Sequence, residues 1–156
     1  MRIPTALVFA VVLVTSACAA RTHDYTGAGG ANRLTGATVT FTSLQDGKDT
    51  DSAVTVQLLR GSNELVAEAR TAGTKFDDHS TAPPLALSVE GPLSDADARD
   101  ALLRLQLVPD GRDTWTFNVR MTLSFSNNNQ QSFTWTEVRL DEKSPQRTLT
   151  LSGARL

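Results

Sequence analysis

The segment 115–125 alternates without a break. Trp115, Phe117, Val119, Met121, Leu123 and Phe125 fall on one side, and Thr116, Asn118, Arg120, Thr122 and Ser124 on the other. Successive side chains of a strand point to opposite faces, so this period of two describes a long strand with one dry and one wet face and does not fit a helix. A strand of that kind needs antiparallel neighbours and a second apolar layer to cover its dry face.

The rest of the chain supplies them. Short runs rich in Val, Thr, Leu and Phe at 37–44, 53–60, 64–70, 85–89, 102–108, 132–140 and 147–152 are separated by turn residues such as Gly61-Ser62-Asn63, Pro83-Pro84 and Pro109-Asp110-Gly111. With 115–125 they make eight strands, and the expected fold is all-β, an antiparallel eight-stranded β-sandwich. In 132–140, Phe133 and Trp135 share one parity while Val138 and Leu140 have the other. A β-bulge near Thr136-Glu137 is therefore expected, because an unbroken period would put Glu137 in the core. The parity of Trp115 and Trp135 assigns both to buried faces. The one helix signal is 94–101, where Ser94 could cap and Asp97 sits at the capping-box offset.

The N-terminus has a different character. Met1-Arg2 precedes an apolar run up to Val14, and Thr15-Ser16-Ala17 leads into Cys18, the single cysteine of the chain. A positive end, a greasy core shorter than a bilayer span and a small-residue exit describe a secretory signal peptide. Thr15-Ser16-Ala17-Cys18 resembles the lipobox of bacterial lipoproteins, with Thr15 where that family usually has an aliphatic residue. The resemblance implies cleavage before Cys18, acylation of its thiol (diacylglycerol and palmitate), and, with Ala19 rather than Asp next, export to an outer membrane where the cell has one. Cleavage after Ala19 and release of a soluble protein is the competing expectation. The expected organisation is a signal peptide at 1–17, a glycine-rich flexible tether at 18–35 and a single domain at 36–156. Several acyl chains on one thiol give firm anchoring. The formal net charge of −2, with charges interspersed, argues against nucleic acid as a partner.

Catalytic candidates are few. The chain has two histidines. His23 lies in the tether, and His79 stands in Phe76-Asp77-Asp78-His79-Ser80-Thr81, where acid, imidazole and hydroxyl follow one another on one loop and cannot form a triangular relay. No nucleophile elbow, zincin motif or phosphate-cradling loop is present, so a non-enzymatic role is expected. A hard cation suits the residues better than zinc. Asp46, Asp49 and Asp51 share the loop between the first two strands, Asp77 and Asp78 lie on a second loop, and Asp110 and Asp113 on a third. Calcium takes about six to eight oxygens, which loops at one end of a sandwich can supply together. The alternative is turn chemistry: Asp favours turns for its own sake, and Lys48 and Arg112 in the same loops can neutralise the carboxylates.

The run Asp46-Gly47-Lys48-Asp49-Thr50-Asp51-Ser52-Ala53-Val54-Thr55-Val56-Gln57-Leu58 resembles the opening of the PLAT (lipoxygenase homology) family, and Asp113-Thr114-Trp115-Thr116-Phe117 is similar to that family's Trp-bearing strand. PLAT domains and the topologically related C2 domains are eight-stranded sandwiches that act as non-catalytic modules for lipid, membrane or protein association, some through calcium on loop aspartates. The resemblance implies a role as ligands for Asp46, Asp49 and Asp51. The leading expectation is a lipid-anchored extracytoplasmic binding module, stabilised by calcium, that meets a protein, lipid or glycan of the cell envelope. A structural or assembly-partner lipoprotein without a ligand is the second reading, and a small hydrolase or carbohydrate-active enzyme the third.

Overall fold

A computed structural model describes residues 32–45, 47–48, 52–61, 63–108 and 114–154. The signal and nearly all of the tether expected at the N-terminus lie outside these residues. The described chain is all-β: β1 (Leu34–Gln45), β2 (Ala53–Arg60), β3 (Glu64–Thr71), β4 (Leu85–Val89), β5 (Leu102–Val108), β6 (Thr114–Phe125), β7 (Gln130–Asp141) and β8 (Gln146–Thr150). All pairings are antiparallel, in the order β7-β6-β1-β4-β3-β2-β5-β8.

Two layers arise because β4 is shared. Its first residues pair with β1 (Val39↔Leu85, Ala37↔Leu87) and its last with β3 (Glu68↔Ser88, Ala67↔Val89). The ladder thus passes through β4 from the β7-β6-β1 layer to the β3-β2-β5-β8 layer. The alternation of β6 fixes the core: Trp115, Phe117, Val119, Met121 and Leu123 are fully buried, and they form one cluster with Val39 and Phe41 of β1 and with Val54, Val56, Leu58, Leu103 and Leu105 of the facing layer. Burying such side chains contributes about 1.5–3 kcal/mol each, an upper estimate because the unfolded chain already hides part of this surface.

The expected bulge is present. Phe117 pairs with Val138 and Val119 with Trp135, so Thr136 and Glu137 together oppose Asn118. Glu137 takes a left-handed φ of 55°, and its N–H, turned out of the ladder, donates to Asn118 Oδ1 at 3.0 Å. That conformation costs a non-glycine residue about 1–2 kcal/mol. Glu137→Val, which adds a β-branch to a left-handed position, is expected to lower stability by about 1–2 kcal/mol, whereas Glu137→Gly should hold or raise it. Urea unfolding of both variants checks this. Equal loss in the two would mean that the side chain, and not the backbone, matters at the bulge.

Two expectations need correction. Leu34 and Thr35, assigned to the tether, belong to β1: Leu34 pairs with Phe125 and is buried, and Asn32 is held by Asp95 at 2.9 Å. The helix expected at 94–101 is a single 3-10 turn, Ala98–Asp100. Ser94 and Asp97 do interact as anticipated. The Asp97 N–H donates to Ser94 Oγ at 3.1 Å, and Ser94 Oγ lies 2.6 Å from Asp97 Oδ2. A loop tied at both ends to the barrel leaves no room for further turns.

Candidate functional sites at the loop end and the open seam

Strand direction reverses at every connection, so Gln45, Ala53, Thr71, Leu85, Val108, Thr114, Asp141 and Gln146 all stand at one end of the sandwich. The segments carrying the candidate aspartates leave and re-enter the sheet there. Asp46, Asp49, Asp51, Asp110 and Asp113 lie outside the described residues, as does Cys18.

What is described of this end is well tied. Phe76 N–H donates to the Lys48 carbonyl at 2.9 Å, Ser43 N–H to Ser80 O at 2.8 Å, and Ala82 N–H to Phe41 O at 2.9 Å, which straps the 72–84 segment along β1 and its loop. The Gly47 N–H donates to Asp78 Oδ1, so one candidate carboxylate already bridges two loops. Gly47 has to be a glycine here: a Cβ would stand 2.7 Å from that same oxygen and press on the Phe76 carbonyl. Asp77 points outward and pairs with Lys75 at 2.7 Å. His79 is exposed at a left-handed φ of 53°, and the Ser80 hydroxyl donates to the Asp77 carbonyl at 2.6 Å. Acid, imidazole and hydroxyl therefore do not form a relay. Among the described residues no three His, Cys, Asp or Glu side chains gather as a metal group.

Lys48, weighed in the sequence as a neutraliser of the loop carboxylates, is fully buried. Its ammonium donates to the Ser52 carbonyl and lies 5.7 Å from the centre of the Phe76 ring. The i,i+4 spacing to Ser52 is the local signal; nothing in a charge count reveals it.

A second candidate lies on the side of the barrel. β7 and β8 are the two ends of the sheet and do not pair, and a groove of 460 Å³ runs between them. Side chains close what backbone does not. Trp135 Nε1 donates across it to the Thr150 carbonyl at 3.3 Å, and Arg147 Nε reaches the Arg139 carbonyl at 3.4 Å. Both residues have inward parity, since Trp135 pairs with Val119 and Arg147 with Leu105. Trp135, expected in the core, is therefore only half-buried: it packs on Phe133 on one side and lines the groove on the other. Arg139 pairs with Asp141 at 3.3 Å. The Ser144 N–H, aided by Arg139 and the Lys143 N–H and opposed by some desolvation, holds the Asp141 carboxyl below the usual range. Comparison with protein-family models, curated proteins and solved structures finds no match to this chain, so the site geometry itself has to carry the functional reading.

Proposed function

We propose that this chain is a lipid-anchored, extracytoplasmic, non-catalytic binding module whose aspartate-bearing loop end takes calcium. The anchor rests on the lipobox-like exit at Cys18. The binding role is supported by one observation above the rest: the alternating strand directions bring the ends of every strand flanking Asp46, Asp49, Asp51, Asp77, Asp78, Asp110 and Asp113 to the same end of the sandwich. The Gly47–Asp78 hydrogen bond, which joins two of these loops, supports it further.

Each half has its own test. Cell fractionation should find the chain with membranes and Cys18→Ser in the soluble fraction; a wild-type chain that is already soluble removes the anchor. For the loop end, thermal unfolding with calcium against chelator is expected to show a rise of several degrees, since a ligand at about one hundred times its dissociation constant adds about 2.7 kcal/mol. The rise should vanish in Asp49→Asn/Asp51→Asn. No rise at millimolar calcium would return the aspartates to turn chemistry.

A further inference from the structure

The groove between β7 and β8 stands on residues that the loop-end reading does not use, and its chemistry narrows what can occupy it. A strand inserted between the two edges would need a continuous row of free backbone groups. The bulge at Thr136-Glu137 interrupts β7, β8 has five residues, and the carbonyls of Arg139 and Thr150 are already taken by Arg147 and Trp135. Strand addition is thus opposed by the same devices that blunt edges elsewhere.

A small polar ligand meets no such obstacle. The volume is that of an ordinary small-molecule pocket, about 300–1,000 Å³. An indole held in place by its own N–H bond forms part of the wall, which also carries the hydroxyl-bearing Thr134, Thr136 and Thr148 and a carboxylate acceptor, Glu137. Rings with apolar faces and hydroxyl rims match that mixture. The charge adds one more requirement. Arg139 is matched by Asp141, but Arg147 has no carboxylate within salt-bridge distance among the described residues, and its Nη nitrogens make no hydrogen bond there. A guanidinium with its fork open is suited to a carboxylate.

We propose that the β7–β8 groove binds a carboxylate-bearing saccharide, one sugar face lying along Trp135 and the carboxylate held by Arg147. The probes are trigalacturonate, triglucuronate and the methyl ester of the first, titrated into the purified full-length protein with tryptophan fluorescence and calorimetry as readouts. At least one acidic trisaccharide should give saturable binding that perturbs Trp135, and esterification should weaken the galacturonate interaction about tenfold, as should raised salt to a lesser degree. Arg147→Gln should weaken it about tenfold while its unfolding midpoint falls only slightly, from the lost bond to the Arg139 carbonyl, so that the variant stays folded under the titration conditions. Trp135→Leu should abolish the fluorescence change. Equal binding of the ester, unchanged binding by Arg147→Gln, or no saturation by either acid at about 10 mM would overturn the proposal. So would capture of an extended peptide, or self-association blocked by the same substitutions. Because the titration needs neither calcium nor an intact Cys18, its failure leaves the loop-end reading standing, and the converse holds.

Discussion

Trp115→Ala is expected to cost about 3–5 kcal/mol of folding stability, a large share of the roughly 5–15 kcal/mol a domain of this size has. The indole is fully buried at the centre of an aromatic cluster. Ring centres of Phe117, Phe76 and Phe41 lie 4.0, 4.8 and 5.0 Å away, so truncation empties a cavity that three rings cannot refill without leaving their own contacts. The cluster spans both β1 and β6 and takes in Phe76 from the long β3–β4 connection. Its loss should therefore loosen the loop end as well as the core. Trp115→Phe retains much of the apolar volume but removes the Nε1–H that donates to Ser43 Oγ at 3.0 Å, and Ser43 is itself buried. A smaller loss, about 1–3 kcal/mol, is expected from the missing hydrogen bond and the reduced ring. Urea unfolding with an unchanged denaturant slope measures both. A loss under about 1 kcal/mol for the alanine variant would show that the packing centre lies elsewhere.

The strands that could be read to the residue are those whose ends carry their own punctuation. β2 stops at Arg60 before Gly61, which adopts a left-handed φ of 57°, and β4 starts at Leu85 straight after two prolines. The bulge in β7 was legible for a different reason. Two sets of apolar residues with opposite parity on one strand can both face inward only if an extra residue intervenes. By contrast, β1 begins earlier than its composition suggests, because Leu34 finds its partner in Phe125, 91 residues away in sequence, and no local pattern reports that.

Pairing order has the same character. Which strands end as edges decides that Trp135 borders a groove and that Arg147, of core parity, stays exposed. A period of two specifies a face, not a neighbour, so the same parity that correctly buries Trp115 overstates the burial of Trp135. That the strand ends flanking the aspartate segments share one end of the sandwich is what the sequence could anticipate. Given an even number of antiparallel strands with reversing connections, alternate loops must share an end.

Lys48 provides the second large effect and links stability to the loop end. Its side chain is fully buried, and its ammonium lies 5.7 Å from the centre of the Phe76 ring and donates to the carbonyl of buried Ser52. Lys48→Ala removes both packing and donor, and about 2–4 kcal/mol of lost stability is expected. Lys48→Met keeps a stem of similar length and should cost less, about 1–2 kcal/mol, from the hydrogen bond and the cation–π contact. The methionine variant also bears on calcium. In the sequence Lys48 sits between Asp46 and Asp49, so a fixed positive charge competes with any cation those carboxylates attract. If calcium binds there, Lys48→Met should start from a lower unfolding midpoint and gain more from calcium than the wild type does. If the loops are turns alone, the variant is destabilised equally with calcium and with chelator. The presence or absence of that difference separates a lysine that tunes a cation site from one that replaces the cation as the internal counter-charge of an acidic loop.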